Sequence, residues 1–285
     1  MEGVMSGKAP VVDSHVHFWD FSVYTRKDWL QDKPRLLRNF LPKDLKPDLD
    51  RCGVDLCVVV EAAKNSDQCN LWWMELAKEC PYIGAVVAGC YLEQEDLSEW
   101  LDKYGDYEEF AGVRATPEGP PEEWDSSRKA KQGLSALSKR DLSLDLLLWY
   151  KQLSAVGPLA AEFPDLRLVL NHCSHPPLEG ELQAAWKSAL LPLARHQNVY
   201  MKYSSPLMNA RGRMPERDLT SLVGFLFDVF GPERMIWGSN WPVEIQWDTY
   251  EESWDLSHRC LPSLSERERQ AVFGGNAARV YRIPL

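Results

Sequence analysis

The sequence predicts an α/β protein folded as a (β/α)8, TIM-like barrel, and three observations predict it. Eight short β-branched or apolar runs alternate with longer stretches of helical character along the 285 residues. That alternation is the pattern of successive βαβ units and a parallel sheet. Runs such as LCVVV and LRLVL are apolar at nearly every position, which suits strands covered on both faces. The rival, a doubly wound open sheet, wants a glycine-rich phosphate turn after its first strand, and here that position reads His15-Val16-His17. Residues 1–285 read as one barrel domain with a flexible start at 1–10, since such barrels run to about 250 residues as a unit.

The first strand is PVVDSHV (10–16), followed by the short helix KDLKPDLDRCG (43–53), which carries Pro47. Strand two, DLCVVVEA (55–62), leads to the helix NLWWMELAKECP (70–81), which stops at a proline as helices often do. IGAVVAGCY (83–91), a helix over 94–104, FAGVRAT (110–116) and a helix over 128–140 come next. Strand five is SLDLLLWY (143–150), and a helix over 151–163 precedes strand six, LRLVLNH (166–172). ELQAAWKSALLPLARHQ (181–197) is a long helix with a break expected at Pro192, which has no N–H to donate. NVYMKYS (198–204) is strand seven, ERDLTSLVGFLFDVFG (216–231) a helix ending at Gly231, and RMIWGS (234–239) strand eight. The last helix, 265–281, opens with Ser265 and has Glu268 three residues on. At that spacing each side chain satisfies an orphan backbone N–H of the first turn.

The formal charge is −10 and the isoelectric point near 5.2, with no Lys/Arg-rich run. Nucleic acid and anionic membrane are therefore poor partners, and a small molecule is the expected one. Seven cysteines without a CxxC pair do not make a disulfide framework. The start MEGVMSGKAP lacks the apolar core of a signal peptide, and no run of about eighteen apolar residues spans a membrane. A soluble, cytoplasmic protein is expected, and its oligomeric state is not legible. Twelve tryptophans are expected mostly in packing, with a few at a site.

In a barrel the chemistry gathers at the C-terminal ends of the strands. Those ends carry His15 and His17, Glu61, Arg114, Trp149 and Tyr150, Asn171 and His172, Lys202 and Ser204, then Ser239, Asn240 and Trp241. Closure of the barrel would set Asn240 beside His15 and His17. Two residues apart on a strand, these histidines share a face. Two converging imidazoles suit a metal or a pair that polarises a carbonyl; a hydrogen-bonded pair at a strand end is the plainer alternative. His172 falls in phase with Leu166, Leu168 and Leu170. A lone histidine ending an apolar strand is more often structural, but a third one at a third strand end favours function. A Cys173–His172 nucleophile pair would need a bent backbone, because adjacent strand residues point to opposite faces. Arg114 and Lys202 could hold a carboxylate or a developing oxyanion, or be solvated tips. His175 reads as a rim residue, and Arg211 and Arg213 as a solvated loop. Trp19 and Trp241 could wall a ring-shaped substrate, or simply pack.

HVHFWD, GVR, FPDLRLVLNHCSHP, NVYMKYSS, RMIWGSNWPV and FGGNAARVY, in that order, resemble the amidohydrolase superfamily. Within it they resemble the lactonase-like branch of sugar-lactone and pyrone-dicarboxylate lactone hydrolases. The resemblance covers nearly the whole chain. It implies a distorted barrel with its site at the strand ends, acting as a hydrolase of a small lactone or related cyclic ester. It implies that His15, His17 and His172 bind a divalent metal such as zinc or, as in metal-free members, polarise the lactone carbonyl. It maps a substrate-contacting arginine onto Arg114, the strand-seven lysine onto Lys202, and a structural GGNA segment onto Gly274, Gly275, Asn276 and Ala277. One departure matters. The family's strand-eight motif usually reads GSDWP, and here it reads Gly238-Ser239-Asn240-Trp241-Pro242. That aspartate is the expected general base and often a metal ligand, whereas an amide cannot take a proton near neutral pH. Glu61 is then the first spare base and His172 the second, and bound metal is expected to be weak or absent. A ligand-binding barrel without turnover, and a decarboxylase on the same scaffold, stay as rivals.

Overall fold

The computed structural model describes residues 9–64, 66–115, 127–177, 180–204 and 214–284. Eight parallel strands hydrogen-bond in chain order: β1 (Val12–Val16), β2 (Leu56–Val60), β3 (Ile83–Gly89), β4 (Phe110–Ala115), β5 (Ser143–Leu146), β6 (Leu168–Leu170), β7 (Val199–Ser204) and β8 (Met235–Gly238). The ring closes just past the end of β8, where Asn240 N donates to His15 O at 2.8 Å and His17 N to Trp241 O at 2.7 Å. The result is a (β/α)8 barrel. It is distorted: register shifts interrupt the β1–β2, β2–β3 and β3–β4 ladders. The early part of the expected flexible start, residues 1–8, and Arg211 and Arg213 lie outside the described residues.

Strand alternation sorts the core into two layers. Val58, Val60, Ala85, Val87, Val169 and Ile236 fill the barrel with Ala277, Val280 and Tyr281 of the last helix, which plugs its N-terminal end. Cys57, Val59, Val86, Leu168, Leu170, Met201 and Trp237 face the helices instead. Helices fall where the sequence places them: α1 (Pro42–Cys52), α2 (Asp67–Glu79), α3 (Leu97–Tyr104), α4 (Arg128–Lys139), α5 (Val156–Glu162), α6 (Gly180–Leu190) and α7 (Glu216–Phe230). α1 ends on Gly53 in the left-handed region at φ 65°. α6 gives way to a 3-10 turn over Leu191–Arg195, with Pro192 at its start. Among the described residues no helix is long and apolar enough to cross a membrane.

Three elements differ from expectation. Strand five ends at Leu146, so Trp149 and Tyr150 stand beyond it, entering a 3-10 turn. A helix, α8 (Tyr250–Arg259), follows strand eight where none was read, opened by Thr249 Oγ1 accepting from Glu252 N. The last helix is three pieces: α9 (Glu266–Gln270), a π-helical turn over Ala271–Gly275, and α10 (Asn276–Tyr281). The expected capping box opens α9. The π turn coincides with a close approach, since a Cβ on Gly274 would stand 1.8 Å from Pro10 O. Only glycine lets the chain into the barrel pass so near the helix.

Candidate active site

The first strand aims its histidines through a β-bulge. Asp13 pairs with Cys57 and Val16 with Val59, so β1 spends one more residue than β2 over the same step. An extra residue of this kind re-aims the side chains after it. Asp13 turns outward to accept from Tyr250 OH at 3.0 Å, and its other oxygen accepts from His15 N at 3.1 Å and Ser239 N at 2.8 Å. His15 and His17 then point inward. Gly238 makes room for the first of them, because a Cβ there would lie 2.8 Å from His15 Cβ.

His17 Nδ1 lies 2.7 Å from Val60 O. A carbonyl only accepts, so Nδ1 carries the proton and, in the neutral ring, Nε2 is bare. That bare nitrogen stands 3.2 Å from His15 Nε2 and 3.1 Å from Asn240 Oδ1. A nitrogen lone pair facing an amide oxygen is repulsive unless a cation shares the two or the amide turns its NH2 inward.

Burial keeps the imidazoles uncharged. It pushes His15 and His172 well below the ordinary value, helped by Lys202 and by His175 respectively. Burial, with the Arg114 charge second, holds His17 down at about 3. In the unfolded chain each would titrate near its ordinary 6.5. Below that pH the unfolded state takes up protons that the folded state refuses, so stability is constant above about pH 6.5 and falls as pH drops toward 3. Each such histidine costs up to about 1.4 kcal/mol per pH unit in that window. Urea unfolding at pH 9, 8, 6 and 5 should show a level stretch and then a fall, shallower in His17→Gln. An identical slope in that variant would remove His17 from the account.

His172 reaches the cluster by another route than strand phase. Leu168 and Leu170 face the helices, so a continued strand would have turned His172 outward with them. β6 stops at Leu170, and His172, Cys173, Ser174 and His175 all take positive φ, between 49° and 54°. This left-handed turn costs roughly 1–2 kcal/mol per residue. It brings the His172 ring to 4.5 Å from that of His15, with Nδ1 2.9 Å from Ser204 Oγ. Backbone strain of this kind collects at functional sites. Asn171, in phase with inward Val169, donates into the barrel instead.

Glu61 and Arg114 form a buried ion pair, Nε to Oε1 at 2.8 Å, and Arg114 Nη2 also bonds Glu61 O. Glu61 Oε2 has no hydrogen-bond partner among the described residues. Lys202 lies beneath the cluster. Its ammonium donates to Ser14 O at 2.9 Å and Asp145 Oδ2 at 2.8 Å, fully buried. The sequence left it between a solvated tip and a charge aimed at substrate; both of these hydrogen bonds go to protein groups, and the ammonium also lies 4.9 Å from the Tyr281 ring. Trp19 is likewise in packing: fully buried against Tyr24, Trp29 and Phe40, its indole N–H donating to Arg38 O. Trp241 sits between Phe18 and Phe40. Asp13 and Asp145 escaped the sequence reading of the site. Asp145 did carry a signal, as the one charge in SLDLLL.

Among the described residues no three His, Cys, Asp or Glu side chains are placed to share a metal ion. An amide oxygen completes the trio here. Ligands about 2.0–2.1 Å from a tetrahedral zinc stand roughly 3.3 Å apart, and His17 Nε2 stands near that spacing from both His15 Nε2, at 3.2 Å, and Asn240 Oδ1, at 3.1 Å. His17 also donates its other ring N–H to a backbone carbonyl, Val60 O, as metal-bound histidines commonly do. His15 lacks one, since its Nδ1 finds no partner among the described residues. The donors fit a divalent ion, held loosely by three neutral groups.

A closed barrel of parallel strands, with neutral imidazoles from β1 and the turn after β6 gathered at its mouth beside an Arg–Glu pair, defines a class of barrel built for carbonyl or metal-assisted chemistry. The chain belongs to the amidohydrolase family, whose profile matches residues 12–283. It is 30% identical over 281 residues, 95% of each chain, to the L-fucono-1,5-lactonase of Burkholderia ambifaria. Crystal structures of an amidohydrolase from Burkholderia multivorans superpose on it with TM-scores of 0.89 (HEPES-bound) and 0.88 (zinc-bound). Both are 29% identical and cover 97% of this chain and 100% of theirs.

Proposed function

We propose that this protein hydrolyses the 1,5-lactone of a sugar acid, by attack of water on the ring carbonyl. The observation that carries the reading is the meeting of His15, His17 and His172 around one point, in a chain so similar to a lactonase over its whole length. Water adds to the carbonyl carbon, the bond from that carbon to the ring oxygen breaks, and an open-chain hydroxy acid leaves. His172, uncharged and braced by Ser204, takes the proton of the attacking water and returns it to the ring oxygen. Glu61 is a poorer base, since Arg114 holds one of its oxygens. Its role is to orient Arg114, whose remaining N–H donors serve the developing oxyanion. A divalent ion at His15, His17 and Asn240 would supply Lewis-acid polarisation of the carbonyl when bound.

A pH-indicator assay on L-fucono-1,5-lactone, with and without added zinc, tests this. Turnover is expected, and His172→Ala should lower kcat by about 10²–10⁴-fold. No turnover across a panel of sugar lactones with metal supplied would sink the reaction. Asn240 favours a second reading, a barrel that binds the lactone without opening it. Tight binding by a wild-type protein with no turnover would select that reading.

A further inference from the structure

Trp149 is 56% exposed, the most exposed large hydrophobic side chain among the described residues. An isolated surface hydrophobe needs no explanation, but this one is mounted. Its backbone is clamped twice by Gln152: Trp149 N donates to Gln152 Oε1 at 2.9 Å, and Gln152 N donates to Trp149 O at 2.8 Å. The His175 ring stacks on its indole at 4.2 Å and 25°. The stack spends one face of the indole and leaves the other open.

The stack is also tied to the reacting groups. His175 ends the left-handed turn that begins at His172, with His175 N donating to His172 O at 2.9 Å. The two rings are 5.5 Å apart, and His172 is 4.5 Å from His15. The strained segment that turns His172 inward therefore also sets the support under Trp149. Rings run without a gap from the cluster to an open, rigid aromatic face on the rim.

We infer that the open face of Trp149, backed by His175, is the platform on which the sugar ring of the lactone lies while His172 works at its carbonyl. This rests on the function proposed above and specifies its substrate as a polyhydroxylated ring with one apolar face. A pyranose-shaped lactone presents C–H groups on a face and hydroxyls at its edge. The C–H face suits the electron-rich indole, and the edge stays free for polar groups. A stacked pair of this kind is worth about tenfold in binding. Trp149 is a positioning residue, so its loss should appear in KM more than in kcat.

The experiment compares wild type, Trp149→Ala, Trp149→Phe and His175→Ala. Steady-state kinetics use L-fucono-1,5-lactone, and calorimetric titration uses its product, L-fuconate. Trp149→Ala should raise KM and weaken product binding about tenfold, with kcat changed less than about threefold. Trp149→Phe should recover most of the loss, and His175→Ala should fall between. Turnover with unchanged KM and product affinity in Trp149→Ala overturns the platform and leaves the reaction standing. Product binding that Trp149→Ala weakens, without turnover by the wild type, supports the platform and sinks the reaction. A wild type that neither turns over the lactone nor binds the acid overturns both.

Discussion

Replacing Asn240 with aspartate is expected to raise kcat/KM on L-fucono-1,5-lactone by about 10²–10⁴-fold, the usual worth of a positioned general base. The backbone should accept the change. Asn240 sits at φ 61°, in the left-handed region that asparagine and aspartate both visit readily. Its backbone N–H bond to His15 O does not depend on the side chain. What changes is the atom 3.1 Å from His17 Nε2, from a neutral amide oxygen to a carboxylate that can accept a proton. The new negative charge also favours a proton or a divalent ion between the two opposed lone pairs, raises the His17 pKa from its depressed value, and gives a divalent ion its first anionic ligand. Three readouts should therefore move together in Asn240→Asp. Turnover rises, zinc survives gel filtration at higher occupancy, and the acid-side loss of stability lessens. A variant no faster than the wild type would mean that position 240 is not a vacated base. His172, a base weakened by its burial, would then already carry the proton as fast as this site allows.

The strands were legible because a parallel barrel demands near-continuous apolar runs, and each run in the sequence became a strand. So was the closure of the ring, which follows from counting eight units. What sequence could not show is how each residue is aimed. Period-two alternation puts Asp13, His15 and His17 on one face. The bulge that separates Asp13 from the histidines is set by pairing with β2, and nothing within VVDSHVH announces it. The turn at His172 is hidden for the opposite reason: four successive left-handed residues contain no glycine to mark them. Strand phase would have sent His172 into the helix layer, so its ring meets that of His15 for a reason the phase does not carry. The helix α8 was missed although Thr249 and Glu252 repeat the spacing read correctly at Ser265 and Glu268. The place of Lys202 was not legible because a strand-end lysine looks alike whether its ammonium faces solvent, substrate or a buried carboxylate. The partner, Asp145, lies on a strand far away in sequence.

That partner decides what Lys202 is for. Lys202→Met is expected to destabilise the protein by about 3–5 kcal/mol, the cost of leaving a buried charge without its counter-ion. Asp145 would keep only the Tyr281 hydroxyl, at 2.9 and 3.1 Å, and the Asn171 amide, at 2.8 Å. These are too few to solvate a carboxylate buried beneath the active-site mouth. Burial already pulls the Lys202 pKa down, with Asp145 opposing it, so the pair is held by mutual attraction in a place hostile to each charge alone. The double variant Lys202→Met/Asp145→Asn should recover most of the loss, because removing both charges removes the uncompensated one. Urea unfolding of the wild type, both single variants and the double variant closes the cycle. A Lys202→Met cost below about 1 kcal/mol would place the ion pair among those that contribute little. Activity gives the second readout. Lys202 also holds Ser14 O, inside the bulge that aims His15, so even the stable double variant should lose kcat. Full activity in the double variant would show that the bulge keeps its shape without the ammonium, and Lys202 would be a stabilising residue alone.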